Sequence, residues 1–403
     1  MVDLAGMRRF VIVLGCLTGI GALGIDMSLP SIPDMVRDLA TTMATGQQIV
    51  GVFVAGVALG QLPAGLVSDR VGRMPVILVG VGLFTLAGLV TSITTDMSLM
   101  LVARFVQGIG ASVGVVVSRA IVRDISSGRE AARLLSVMVM IFTAAPMLAP
   151  VAGSYLVGAF GWRAPFAAIT LIGALLFVAV ATSLHETRRP NREHHIFRQL
   201  ALSLREFMGH RQSILGLLFV VSAAMGFMSL IAGSSALIVD IYGYPVESFG
   251  LIFALAGFAI LLGSMLNRRL LAKFNSVQLA GLGTLLIGIA GAQLLLMVWL
   301  ADAPFWWLWG NVCLYMGGVG ILLPNATALA LDPVPEIAGT AASIIGTMQN
   351  LAASVSAAIT GMLYDGTMSN SLVIIGIFGI VTFGLFVLRA LVLAGRPLHV
   401  ASD

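Results

Sequence analysis

Residues 186–212 read ETRRPNREHHIFRQLALSLREFMGHRQ, and this polar stretch decides how the rest of the chain is organised. It holds six arginines and three histidines, while on either side the chain consists of long apolar runs separated by short charged loops. A helix that crosses a hydrocarbon core of ~30 Å needs about 20 mostly apolar residues. Six such runs precede the polar stretch: 10–31, 46–67, 75–95, 98–122, 132–158 and 163–184. Six follow it: 213–238, 248–270, 276–300, 304–331, 337–363 and 371–394. The expected fold is an all-α membrane protein of twelve transmembrane helices in two six-helix pseudo-repeats. Its expected parts are a first bundle at 1–185, a cytoplasmic linker at 186–212 and a second bundle at 213–403.

Composition agrees. Hydrophobic residues make up 59% of the 403 positions and charged residues 10%, against roughly a quarter charged in soluble proteins. The 46 glycines suit membrane helices, whose backbones approach closely where side chains are small. The basic residues are spread between apolar runs and form no face for nucleic acid. Cys16 and Cys313 sit inside apolar runs and read as small buried hydrophobes. No metal-ligand spacing, catalytic constellation or phosphate-binding glycine loop is present, so neither an enzyme nor an ATP-driven pump is expected.

Basic residues also set the orientation. With the N-terminus inside, 19 of the 22 lysines and arginines fall in cytoplasmic loops and tails. Arg37 and Arg163 fall outside, and Arg104 lies within a span. Both termini and the linker are therefore expected in the cytoplasm of a multi-pass bacterial inner-membrane protein. A faint repeat supports the two halves. Gly65-Leu66-Val67-Ser68-Asp69-Arg70 follows span two, and Gly263-Ser264-Met265-Leu266-Asn267-Arg268 follows span eight, 198 residues later. Parallel six-helix repeats are a transporter plan with the site between the halves near midplane.

Coupling to protons requires a group that titrates within the membrane. All five histidines lie at the linker or in the tail, and 17 of the 18 acids lie in loops, tails or at span ends. Asp26 alone sits inside a long apolar run, at Gly24-Ile25-Asp26-Met27-Ser28-Leu29-Pro30, where an ionisable group is costly and marks function. It lies about 24 Å from the inner face, and Pro30 and Pro33 should disturb the helix just beyond it. Arg104 is the one basic residue within a span, about 9 Å from the outer face, with Gln107 one turn later. The similar depths of Asp26 and Arg104 lead to the expectation of one shared polar site.

Several segments resemble a known family. Gly65 to Arg73, GLVSDRVGR, closely resembles the loop 2–3 signature of the major facilitator superfamily. Arg104-Phe105-Val106-Gln107-Gly108-Ile109-Gly110 looks like the span-four motif of its proton-driven antiporters. Ala145-Pro146-Met147-Leu148-Ala149-Pro150-Val151-Ala152-Gly153 is similar to their span-five motif in its two-proline variant. Asp26 to Pro33, Arg123-Asp124, His185-Glu186-Thr187, Asn267 to Leu270 and the run from Glu336 to Gln349 narrow the resemblance to the bicyclomycin-resistance (Bcr/CflA) group of drug exporters. Ser28 departs from it, since several members carry an aromatic there.

The resemblance implies drug:proton antiport by alternating access, with protons as the coupling ion and no cofactor. It assigns proton coupling to Asp26 and Arg104, and gating to Gly65, Asp69, Arg70, Gly72, Arg73 and Asp124. It also implies that Pro146, Pro150 and Gly153 bend span five where the halves meet. Candidate substrate contacts are Gln107, Met138, Phe142, Met225, Met228, Asn311, Tyr315, Gln349 and Asn350, because soft and amide side chains suit a permissive pocket. An interior with so little charge favours neutral, zwitterionic or singly charged amphiphiles. A dedicated exporter or importer of a sugar, amino acid or siderophore is the alternative on the same fold. Apart from the bilayer and the substrate no partner is expected, and the chain is expected to act as a monomer.

Overall fold

The computed structural model describes residues 4–187, 196–300 and 303–393. The arginines and histidines of 188–195, and the C-terminal arginine Arg396, lie outside the described residues. The helices are α1 (Leu4–Asp26), α2 (Ile32–Asp38), α3 (Met43–Val71), α4 (Arg73–Ile93), α5 (Met97–Ile125), α6 (Gly128–Phe160) and α7 (Arg163–Ser183). They continue with α8 (Ile196–Gly209), α9 (Arg211–Ser235), α10 (Val246–Leu270), α11 (Ser276–Val298), α12 (Phe305–Leu331), α13 (Ala338–Met362) and α14 (Ser369–Leu393). Twelve segments are long and apolar enough to cross a membrane, and no strand occurs among the described residues.

Local chemistry sets the helix starts. Thr42 accepts a hydrogen bond from Thr45 N (3.2 Å) at the start of α3, and Asp96 from Leu99 N (2.7 Å) at the start of α5. Asn275 and Gln278 form a reciprocal capping box at the start of α11. Each satisfies amide hydrogens that have no partner within the helix.

The first span differs from the single helix read from the sequence. α1 stops at Asp26, a 3-10 turn covers Leu29–Ser31, and α2 carries the chain on to Asp38. Pro30 has no N–H for the Asp26 carbonyl four residues back. Ser28 Oγ meanwhile donates to the carbonyls of Gly24 (3.1 Å) and Ile25 (2.8 Å). Asp26 is thus the last residue of a broken helix. A second difference lies in the linker, where residues 196–209 form the amphipathic helix α8, with Phe207 buried and Leu204 and Met208 exposed.

Within each half the helices touch through glycines. A Cβ at Gly108 would land on the Phe53 carbonyl oxygen, and one at Gly56 on that of Phe105, so α3 and α5 meet backbone to backbone. Gly318 approaches Gly283, and Gly320 approaches Ile260, in the second half. Such contact replaces the hydrophobic drive that lipid removes.

The halves meet along α3 with α13 and along α6 with α10. We call the side that carries α8 and the ends of α3, α5 and α12 the linker face, and the opposite side the far face. Towards the far face both seams are tight. Gly361 meets the Ala44 carbonyl, Ser354 Oγ donates to Gly51 O (2.9 Å), and Gly158, Gly250 and Gly257 meet Glu247, Pro150 and Pro146 respectively. Asn350 Nδ2 to Gln61 Oε1 (3.2 Å) is a crossing further in. Beyond it, towards the linker face, a cavity of about 390 Å³ opens, lined by Gln61, Asp69, Arg73, Arg123, Leu200 and Thr340 among others. These seams close the far face, and the cavity lies at the linker face.

Candidate functional site

Asp26 is 4% exposed and makes no ion pair or side-chain hydrogen bond among the described residues. On a helix it shares a face, within about 20°, with Gly15 and Gly19, both of which pack on Ile141 of α6. Gly153 packs on the Met27 carbonyl and on Pro30. The carboxylate therefore faces α6 at its two-proline segment, close to the plane where the halves touch.

Arg104 is fully buried. Its Nη1 donates to Gln107 Oε1 (2.9 Å), its Nη2 to Ser28 Oγ (3.4 Å) and its Nε to Ile49 O (3.5 Å), while the guanidinium lies 4.4 Å from the Phe53 ring centroid. These contacts offset part of the cost of burying a cation. No ion pair or hydrogen bond joins Arg104 to Asp26 among the described residues; the polar partners of its guanidinium are Gln107, Ser28 and the Ile49 carbonyl.

The gating residues are brought together at the linker face. Arg73, 3% exposed, meets Asp69 (2.7 Å), Asp124 (2.8 Å) and Ser68 Oγ (2.7 Å). Gly72 has φ +103°, and a Cβ there would sit 2.5 Å from Glu186 Oε2. Glu186, for which the sequence suggested no role, accepts from Arg73 N (2.8 Å) and Met74 N (3.0 Å) at the first turn of α4, where a carboxylate is favoured by unpaired amides and helix dipole alike. Thr187 Oγ1 adds a bond to Asp124 (3.3 Å). The start of the linker is thereby tied to loop 2–3. Arg70 is exposed. A Cβ at Gly65 would meet only Val116, at an ordinary contact distance of 3.4 Å.

Gly72→Leu should keep the protein in the membrane and cut transport at least tenfold. A side chain at positive φ costs about 1 kcal/mol or more, and this one also displaces Glu186. Quantitative blotting with uptake assays checks it, and wild-type transport would remove the support for a gate here.

The pocket candidates divide. Gln107 turns its Nε2 towards Gly88 of α4, inside the first half, and that nitrogen has no hydrogen-bond partner among the described residues. Tyr315 is buried with its hydroxyl over Gly226, inside the second half. Asn311 is 5% exposed and donates to its own helix at Trp307 O (2.9 Å). Met138 and Met228 are buried. Met225 and Gln349 are half-buried, and Phe142 is exposed. Asn350 bridges the α3–α13 seam through Gln61. Pro146 and Pro150 sit within a continuous α6, their carbonyls facing Gly257 and Gly250 across the other seam. In the second half, Asn267, the counterpart of Asp69, accepts from Asn325 Nδ2 (2.6 Å) in a neutral pair.

Known proteins with this sequence pattern agree with the geometry. The Major Facilitator Superfamily profile matches residues 14–357, and the chain belongs to that family. It is 32% identical to the bicyclomycin resistance protein homolog of Haemophilus influenzae, over 84% of this chain and 85% of that one. It is 29% identical to multidrug resistance protein D of Escherichia coli K12, over 88% and 89%. Among solved structures, a bacterial homolog of the human lysosomal transporter Spinster, inward-facing and unoccupied, superposes with a TM-score of 0.80 at 15% identity, covering 99% of this chain and 100% of that one. The D-xylose-proton symporter gives 0.76 at 17% identity, covering 94% and 97%. These two likenesses show the fold.

Proposed function

We propose that the chain is a proton-driven exporter of small amphiphilic drugs, working by alternating access from the bacterial inner membrane. The observation that carries this is Asp26: a buried carboxylate without a cation, at a helix break, facing the seam between the halves. Access of water or substrate to this carboxylate changes its surroundings and with them its protonation. Proton and substrate then compete for one state of the protein, and each lowers the other's affinity. The names of the bicyclomycin-resistance and multidrug-resistance relatives support the substrate class. Residues 1–185 and 213–403 move as two bodies joined by 186–212, the linker face is cytoplasmic, and the cavity there admits substrate from the cell. Protons are the only coupling species, no cofactor takes part, and a monomer suffices.

Overexpression in a drug-sensitive bacterial host should raise the inhibitory concentration of several chemically unrelated amphiphiles at least fourfold. A change confined to one metabolite in the medium would instead identify a dedicated carrier. Orientation is tested by His195→Cys, which should react with an impermeant maleimide only after the cells are opened. Strong labelling of intact cells would invert the topology.

A further inference from the structure

We propose that the far-face closure is an under-satisfied plug. Ser31, Gln47, Ser154 and Ser235 are buried without partners while the far face is shut, and their hydration on opening sets the balance between the transporter's two states.

The plug is the 3-10 turn Leu29–Ser31, which touches α6 of its own half and both α9 and α10 of the other. Around it, Ser31, Gln47 and Ser235 are 0% exposed and Ser154 is 1% exposed. Their hydroxyls, and both polar atoms of the Gln47 amide, have no partner among the described residues. Each lies at a junction between halves. Gln47 follows Gly46, which packs on Ile32 and Val36, and its Cβ lies 3.6 Å from where a Cβ on Gly361 of α13 would sit. Ser154 stands one turn from both Pro150 and Gly158, which approach α10 at Gly250 and Glu247. Ser235 is two residues past Gly233, which faces Ser371 and Thr360 within the second half. Ser235 ends α9, directly before the segment Ala236–Ile241 that touches α2 of the first half.

Other polar groups on these seams are paired, as Ser354 is with Gly51 O and Asn350 with Gln61. Of the nine described residues with a buried polar atom that lacks a partner, these four gather at the far face; Gln107, Ser118, Ser213, Tyr315 and Thr347 lie away from the turn. A buried polar group without a partner pays its full desolvation cost, which a separated seam returns when water reaches it. Each such side chain shifts the closed-to-open ratio roughly tenfold towards opening. The tight glycine contacts of both seams act in the opposite direction. A closure held by these contacts and opposed by the plug can exchange states without a large binding energy, as an exporter of loosely held amphiphiles requires. The inference needs alternating access but not Asp26 as the proton carrier, so it stands or falls separately from the coupling mechanism.

The test uses the full chain in liposomes, with Cys16 and Cys313 replaced by Ala and Ser235→Cys as reporter. Its rate of reaction with an impermeant maleimide from the far side reads the fraction open, however small. Gln47→Leu and, separately, Ser154→Ala should each slow labelling roughly tenfold. Ser118→Ala and Ser213→Ala, which remove equally buried and unpartnered hydroxyls elsewhere, should leave it unchanged. Ser154→Ala deletes a single oxygen, so the test survives if Gln47→Leu misfolds. Labelling that is unchanged or faster in both plug variants overturns the proposal, as it would if trapped water already satisfied these groups in the closed state. A reporter that never reacts, even during turnover, overturns it too.

Discussion

Asp26→Asn is expected to abolish uphill export while leaving downhill exchange measurable. Asparagine keeps the shape of the side chain and its hydrogen-bonding capacity but cannot bind and release a proton. Asp26 is the one carboxylate inside the apolar core of a span, and no ion pair holds it. In reconstituted vesicles the variant should exchange labelled for unlabelled substrate within a few-fold of wild type. Net accumulation against a concentration gradient should fall at least a hundredfold. Accumulation near the wild-type rate would shift the coupling role to an acid at a helix end, such as Asp34 or Asp332.

Gly108→Leu is expected to remove folded protein altogether. α3 and α5 touch at Gly56 and Gly108, with each glycine against a carbonyl oxygen of the other helix. Backbone cannot step aside as a flexible side chain can. Forcing the two helices apart costs about 3 kcal/mol by overpacking alone, and it also pulls Phe53 from the guanidinium of Arg104. Fluorescence-detected size exclusion should show loss of the monodisperse peak. Gly209→Leu, at a position with open space around it, should behave as wild type. A normal elution profile for Gly108→Leu would contradict the close packing described here.

Span count and the six-plus-six division were legible because they rest on segment length and composition, which a bilayer imposes directly. Arginine placement adds a check that the structure deepens. The two outer exceptions are both ion-paired, Arg37 with Asp34 (2.5 Å) and Arg163 with Asp38 (2.6 Å), and Arg163 also donates to Thr94 O (3.2 Å). The Arg73–Asp69–Asp124 cluster followed from motif resemblance: Asp69 and Arg73 are four positions apart, but Asp124 lies 51 positions beyond Arg73 and no spacing rule joins it to them.

What the sequence hid was direction. Depth placed Asp26 level with Arg104, but depth along a helix says nothing about azimuth, and the bonds of Arg104 go to Gln107, Ser28 and the Ile49 carbonyl. Gln107 and Tyr315 read as pocket residues from their chemistry, and only the fold shows that each lies in the interior of its own half. Glu186 lay at the edge of a charged run in which any acid reads as solvated. Only the fold reveals that it caps α4, 113 residues away in sequence from Arg73. α8 had a usable signal, with Leu200, Leu204, Phe207 and Met208 on one helical face, masked by the polar residues that surround it.

Transport by the purified wild-type chain tests the central claim most directly. Liposomes carrying the protein are loaded at acidic pH, diluted into alkaline buffer, and supplied with a panel of neutral, zwitterionic and singly charged amphiphiles. At least one compound should accumulate against its gradient with protons leaving in exchange, and a protonophore should collapse that accumulation. Uphill movement that survives the protonophore, or a panel that only equilibrates whatever the pH gradient, would contradict proton-driven export.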